Sequence, residues 1–164
     1  MPAMQHHAPT AAVVIEREQG QSKVSRKKPA ITRIRAAGPD HQVVTVEGGK
    51  GSYRRQPCPK CPWRVDAIGE FSAEAFRHSA ETAYDMSQHT FACHDSGARK
   101  PALCAGFLLR GAQHNLTVRL KTIVEGKRFD DVTDGGHALH ANYRAMAVAN
   151  GVASDDPVLA PCRD

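Results

Sequence analysis

Four of the five cysteines fall in a pattern that is typical of a metal site. Cys58 and Cys61 have two residues between them, a spacing that lets one turn of backbone direct both sulfurs at one ion. Cys93 and Cys104 follow beyond a predicted helix, with ten residues between them. Each pair closes only a short loop, and a shared ion closes the long one. We therefore predict that Cys58, Cys61, Cys93 and Cys104 are the ligands of one metal ion.

The sequence constrains the identity of the metal less than its ligands. Zn²⁺ is expected first, because it is the commonest structural ion bound by four thiolates. Pro62 departs from an ordinary zinc knuckle, in which the residue after the second cysteine turns with a positive φ and offers an N–H to sulfur. We expect Pro62 instead to begin a short helical turn with Cys61 near its N-cap. An iron–sulfur cluster is the alternative, since Cys-Pro steps also occur at cluster ligands. His94, next to Cys93, either replaces one sulfur as a ligand, or acts as a cap or a hydrogen-bond donor to a ligand without binding the ion itself.

A thiol oxidoreductase is a third interpretation of the same stretch. Cys58-Pro59-Lys60-Cys61 matches the Cys-Pro-x-Cys site of glutaredoxin-like enzymes, which follows a buried strand and opens a long helix. Here polar residues and Pro57 precede the motif, and Gly69 interrupts any helix soon after it. No metalloprotease motif or Ser-His-Asp arrangement is evident either, so the chain is not expected to be an enzyme.

Two neighbours of the cysteine pair are assigned supporting roles. Trp63 is expected to anchor the core beside the site. Arg64 is expected to pair with Asp66 or Asp85, or to donate to a thiolate. Cys162 is left as a spare thiol outside the set of four.

The positive charge is concentrated in front of the cysteines. Residues 1–57 hold ten Lys/Arg and four Asp/Glu, a balance of +6, whereas residues 58–164 hold twelve and thirteen, a balance of −1. A basic arm on a near-neutral domain indicates either a polyanionic partner, nucleic acid above all, or a solvated tail; a protein partner is also open. The basic residues that would contact nucleic acid are Lys23, Arg26, Lys27, Lys28, Arg33 and Arg35. We expect residues 1–30 to form a disordered basic arm and residues 31–164 the metal-binding domain.

The expected compartment is the cytoplasm. No stretch approaches the ~20 apolar residues that cross a bilayer, so no membrane association is expected. The first ten residues lack the charged and apolar regions of a signal peptide. Because cytoplasmic thiols stay reduced, clustered cysteines there bind metal more often than they form disulfides.

Hydrophobic periodicity and capping residues predict a small α+β domain that is mostly helical. A β-hairpin is expected near the N-terminus, followed by a third short strand and about four helices. The predicted strands are Ile31–Arg35, Gln42–Glu47 and Ser52–Arg55, and the predicted helices run from Ser72 to about Met86, from Pro101 to Arg110, from the Asn115 cap to a stop at Gly126, and from His137 to Asn150.

The cysteine motifs resemble an uncharacterised domain family of bacteria and their phages. The resemblance is carried by Cys58-Pro-Lys-Cys61-Pro-Trp-Arg64, by Phe91-Ala-Cys93-His94 and by Cys104-Ala-Gly106-Phe. It runs from about His41 to Arg163 and includes the stretch from Ala141 to Gly151. It implies a compact domain whose four cysteines are the expected ligands, and it implies no activity. The basic segment before His41 lies outside it.

Overall fold

A computed structural model of the chain describes residues 27–164. It confirms a mixed α+β fold with an antiparallel hairpin near the N-terminus and four α-helices in the described residues. The strands are β1 (Ala30–Ala36), β2 (Gln42–Glu47), β3 (Ser52–Tyr53) and β4 (Ala102–Leu103), and the helices are α1 (Ala73–Ser79), α2 (Ala105–Arg110), α3 (Leu116–Ile123) and α4 (Tyr143–Ala149). The predicted arm, residues 1–30, lies almost entirely outside the described residues. Within them, no helix has the length and apolar character needed to span a membrane.

The hairpin forms where the two β-branched runs predict it. Strands β1 and β2 pair antiparallel, with Arg35 opposite Val43 and a register irregularity near Ile31. Its β2 side packs against α1, and Arg35 Nη2 lies 3.0 Å from Glu81 Oε1 behind that helix. The loop end is fixed by Ala37, which is fully buried and whose carbonyl accepts the Ser72 hydroxyl. The hairpin is therefore attached to the domain.

Helix α1 begins as predicted and ends earlier. Ser72 caps it by accepting the Ala75 amide, which satisfies an otherwise unpaired N–H of the first turn. The α-helix ends at Ser79, and a 3-10 helix, Ala80–Ala83, replaces the continuation predicted to about Met86. Thr82 donates its hydroxyl to the Ser79 carbonyl, a local bond that favours this tighter turn.

The segment before α2 is extended, whereas a helix from Pro101 was predicted. Ala102 and Leu103 form β4, which pairs in parallel with β3. Their carbonyls accept the backbone amides of Cys93 and Arg54 at 2.8 and 2.9 Å, and these tertiary bonds hold the segment out of the helix. Helix α2 consequently starts at Ala105, with Cys104 as its N-cap residue and not in its first turn.

The last two helices differ in how well the sequence predicts them. Asn115 caps α3 as expected, by accepting the Val118 amide. Helix α4 begins at Tyr143, not at His137, because the residues before it are extended and pair with the cysteine motif. The Val65 amide donates to the carbonyl of Ala138 at 3.0 Å, and the His140 amide donates to the carbonyl of Trp63 at 2.9 Å.

The core surrounds the single tryptophan. Trp63 is fully buried and its ring lies within 5.9–6.3 Å of those of Phe91, Phe107 and Tyr143. This confirms the role of core anchor predicted for Trp63. Cys58, Cys61, Cys93 and Cys104 belong to the same buried cluster as Trp63.

Candidate metal centre

Two consecutive turns shape the Cys58–Arg64 stretch. The Cys61 amide donates to the Cys58 carbonyl and the Arg64 amide to the Cys61 carbonyl, each at 3.0 Å. A proline is the second residue of each turn, where its fixed φ is already suited to turning. The predicted helical turn at Pro62 is thus a single hydrogen-bonded turn, and a 3-10 helix starts only at Val65.

Cys93 and Cys104 are brought to these turns by neighbouring backbone segments. The Cys93 amide donates to the Ala102 carbonyl at 2.8 Å, and the Cys104 amide donates to the Phe91 carbonyl at 3.0 Å. These two bonds join the chain before residue 94 to the chain before α2. The ten residues between the two cysteines therefore close a loop whose ends are side by side.

The structure brings all four predicted cysteines together. Cys61 Sγ lies 3.5 Å from Cys104 Sγ, and the side chain of Cys58 is close enough to those of Cys61 and Cys93 for both to affect its pKa. The sulfurs form a continuous series in the order Cys93, Cys58, Cys61, Cys104, and each residue is less than a tenth exposed. All four are free thiols. As they stand, no three His, Cys, Asp or Glu side chains among residues 27–164 are arranged to hold an ion.

Crowding of the thiols disfavours their ionisation. Hydrogen bonding with Cys104, together with burial, raises the pKa of Cys61 to about 12. Hydrogen bonding with Cys61 raises the pKa of Cys58, and hydrogen bonding with Cys58 raises that of Cys93. Four adjacent sulfurs cannot all become thiolates unless a cation offsets their mutual repulsion.

Two backbone amides act in the opposite direction. Thiol contact and burial raise the pKa of Cys61 and Cys93, and the backbone amides of Trp63 and Asp95, respectively, oppose part of that rise. In both cases the donor is two residues after the cysteine. Pro62 lacks an N–H, but the next residue supplies one, so proline does not remove backbone support from the sulfur.

Arg54 is a functional candidate that the sequence did not indicate. Its Nε lies 3.4 Å from Cys93 Sγ, and its Nη2 lies 2.7 Å from Asp95 Oδ2. The residue directly follows β3, and its place beside the site depends on the pairing of β3 with β4. Because each of those strands has two residues, no hydrophobic alternation marks the pairing in advance.

Arg64 takes the first of its predicted roles. Its Nε and Nη2 contact the two carboxylate oxygens of Asp66 at 2.7 and 2.5 Å. Its Nη1 lies 3.4 Å from the Cys58 carbonyl oxygen, so it approaches the backbone of the motif and not a sulfur. Arg64 therefore braces the turn that carries the first two cysteines.

His94 and Cys162 occupy different positions relative to the centre. His94 Nδ1 lies 3.6 Å from Cys58 Sγ, and its exposed ring packs edge-on against Phe71. Cys162 is elsewhere in the core, with its sulfur 3.9 Å from the Ala80 carbonyl oxygen. Burial raises the pKa of the Cys162 thiol to about 11. His94 is at the rim of the cluster, and Cys162 is outside it.

The residues predicted to contact nucleic acid are only partly free to do so. Lys27, Lys28 and Arg33 are exposed on the hairpin or at its start. Arg35 is mostly buried and paired with Glu81. Lys23 and Arg26 lie outside the described residues.

The fold and the cluster define a small α+β domain organised around four buried cysteines. A family model matches residues 53–163, and the chain belongs to that family, DUF6283, a family of unknown function. The match begins after the hairpin, later than the resemblance from His41 expected. No curated protein and no solved structure matches the chain.

Proposed function

We propose that Cys58, Cys61, Cys93 and Cys104 bind one Zn²⁺ ion, and that the chain is a metal-stapled binding or regulatory protein and not an enzyme. The observation that carries the proposal is the continuous series of four buried sulfurs drawn from three separate segments. If these thiols packed only as small apolar side chains, nothing would require the four of them to be grouped together. Binding requires the four side chains to turn toward a common point.

The spacing of one sulfur pair supports a single ion. A Zn–S bond of about 2.3 Å in a tetrahedral site separates two ligand sulfurs by about 3.8 Å. Cys61 Sγ and Cys104 Sγ are already 3.5 Å apart, although they lie 43 positions apart in the sequence. In a four-iron cluster each thiolate binds a different iron, which would hold these two sulfurs farther apart.

An iron–sulfur centre is the second candidate, and the two Cys-Pro steps of the motif favour it. Protein prepared without oxygen would then be brown, with absorbance in the visible range. A zinc-loaded protein is colourless, because Zn²⁺ has a filled d shell.

A thiol oxidoreductase is the weakest candidate. An attacking cysteine of such an enzyme needs a lowered pKa, commonly supplied by a helix N-terminus. Here burial and thiol neighbours raise the pKa of both Cys58 and Cys61, and no α-helix follows the pair before α1. This candidate predicts disulfide-reductase activity that Cys58→Ser alone abolishes.

Elemental analysis of protein purified without oxygen tests the proposal. We expect about one zinc per chain in the wild type, and its loss in Cys93→Ser and Cys104→Ser. Cys162→Ser is the matched control, because it removes a buried thiol outside the series and should retain full zinc. Zinc retained by both ligand variants would refute the four-cysteine site.

The exposed basic residues of the hairpin support a nucleic-acid partner as the binding role. Lys27, Lys28 and Arg33 can neutralise phosphates, and such contacts weaken steeply with salt. Changing all three to Gln should lower affinity for DNA or RNA and reduce its salt dependence. The control changes Lys60, Lys100 and Arg110 to Gln, an equal loss of charge at exposed positions elsewhere. Equal weakening by both triple variants would refute a specific role for the hairpin.

A further inference from the structure

We infer that Arg54 is a positioning residue of the zinc centre, which offsets part of its negative charge and sets how firmly Cys93 holds the ion. This inference rests on the proposed zinc site. It concerns a residue outside the cysteine motifs, four positions before Cys58.

Three contacts, one from the backbone and two from the guanidinium, hold Arg54 in place. Its own backbone amide donates to the Leu103 carbonyl at 2.9 Å, which fixes the residue beside the segment leading to Cys104. Its Nη2 donates to Asp95 Oδ2 at 2.7 Å, which orients the planar group. Its Nε is then 3.4 Å from Cys93 Sγ, within range of a hydrogen bond to sulfur.

The contact between Arg54 and Cys93 would stabilise the negative charge of the centre. Four thiolates and one Zn²⁺ carry a net charge of −2, and such a centre is stabilised by positive groups and N–H donors around it. Arg64 is the other arginine nearby, but its guanidinium donates to Asp66 and to the Cys58 carbonyl and not to a sulfur. Among the described residues, no other arginine donates to one of the four sulfurs.

Arg54 also stands at the accessible end of the centre. A groove of about 1260 Å³ runs between β2 and the domain, and Cys93 and His94 are among the residues that line it. The opposite end, Cys61 and Cys104, is at most 2% exposed. A cation that stabilises the sulfur's negative charge also lowers its nucleophilicity. Arg54 would therefore lower the reactivity of Cys93, the one cysteine of the four that lines this groove.

The test compares Arg54→Met with the neighbouring Arg55→Met in the full chain. Arg55 is exposed and pairs with Asp131, so its change removes the same charge and leaves the sulfurs untouched. Zinc affinity is measured by competition with a chromophoric chelator. The rate at which iodoacetamide alkylates Cys93 in the zinc-loaded protein is followed by mass spectrometry; the sulfur forms an S–C bond and iodide leaves.

We expect Arg54→Met to bind zinc about 10- to 100-fold more weakly and to be alkylated faster at Cys93, with partial recovery of both properties in Arg54→Lys. Arg55→Met should behave as the wild type. If Arg54→Met does not fold, Arg54→Gln replaces it, with the same loss of affinity expected. Affinity and alkylation equal to the wild type would overturn the inference and leave the zinc site standing. A wild type that binds no zinc would instead overturn the proposed function, and the inference with it.

Discussion

Trp63 connects the cysteine motif to the core. Its backbone amide supports Cys61, its ring packs among three aromatic rings, and two glycines lie against that ring. A Cβ built on Gly106 would overlap the Trp63 Cβ, and one on Gly111 would lie 2.5 Å from Trp63 Cη2. At Gly106 the requirement is for space, because the residue lies inside α2 and its backbone is helical.

Gly106→Ala should therefore destabilise the protein. In an unhindered helix this change would stabilise by about 1 kcal/mol, but the overlap is with Cβ and Cγ of a buried ring, which cannot swing away. Overpacking of this kind costs about 1–3 kcal/mol. We expect a lower free energy of unfolding in urea and a shifted emission from the single tryptophan. Unchanged or increased stability would contradict the close packing of α2 on Trp63.

His140 makes the stability depend on mildly acidic pH. The residue is buried, its Nε2 has no hydrogen-bond partner among the described residues, and burial lowers its pKa below the ordinary value. The unfolded state therefore takes up the proton first as the pH falls. The contribution of neutral His140 is complete above about pH 6.5 and is lost as the pH falls toward the folded-state pKa.

Replacing His140 by Phe should reduce this acid sensitivity. We expect the difference in unfolding free energy between pH 7.5 and pH 5.5 to be smaller in His140→Phe than in the wild type. Urea titrations of both proteins at the two pH values measure it, and the contribution of the cysteines cancels in the comparison. An equal or larger difference in the variant would show that His140 is not the responsible group.

The elements show which parts of the fold are encoded locally. Helix starts at Ser72 and Asn115 are confirmed, because an N-cap acts within its own turn. The starts predicted at Pro101 and His137 are wrong, since backbone groups of distant segments bind those residues in extended form. The grouping of the cysteines follows from their spacing in the sequence, whereas Arg54 depends on a two-residue strand pairing that no periodicity marks.

Asn115 does more than cap α3. Its Oδ1 accepts the Val118 amide, and its Nδ2 donates to the carbonyls of His89 and Thr82 at 2.7 and 3.4 Å. Its side chain is almost fully buried. Asn142 caps α4 in the same manner, and the bond to the Ala145 amide is its capping contact. Comparing the two asparagines therefore distinguishes the stability due to the capping bond from that due to the bonds of Asn115 to distant carbonyls.

We expect Asn142→Ala to lower the free energy of unfolding by about 1 kcal/mol, the ordinary cost of a lost cap. Asn115→Ala should cost about 2–3 kcal/mol, because it also removes the hydrogen bonds from a buried amide group to the His89 and Thr82 carbonyls. Urea unfolding of the two variants measures the difference. Equal losses would mean that the bonds from Asn115 to the Thr82 and His89 carbonyls contribute no stability.

The helices and strands of the domain are short, and they pack around one shared core. Among residues 27–164 the longest helix has eight residues, and the second sheet pairs only two residues on each strand. Aromatic residues make up 5% of the sequence, so little area is buried by large rings. A metal ion that joins three segments would add stability to a core of this kind.

Removal of the proposed Zn²⁺ should consequently lower the melting temperature. A ligand at about 1,000 times its Kd stabilises the folded state by about 4.1 kcal/mol, which corresponds to roughly 10 °C in a domain of this size. We expect at least this decrease when a chelator strips the protein, and recovery when zinc is returned. Cys162→Ser should respond as the wild type does. A melting temperature indifferent to the chelator would refute a structural metal.

The amides of Trp63 and Asp95 that point at two of the sulfurs belong to the main chain, and no change of side chain deletes them. An alanine scan would therefore leave this part of the electrostatic support in place and would underestimate it. Replacing either peptide bond by an ester, which exchanges the N–H for an oxygen, removes one donor and leaves every side chain unaltered. The contribution of the backbone to the centre is thus accessible to chemical protein synthesis and hidden from conventional mutagenesis.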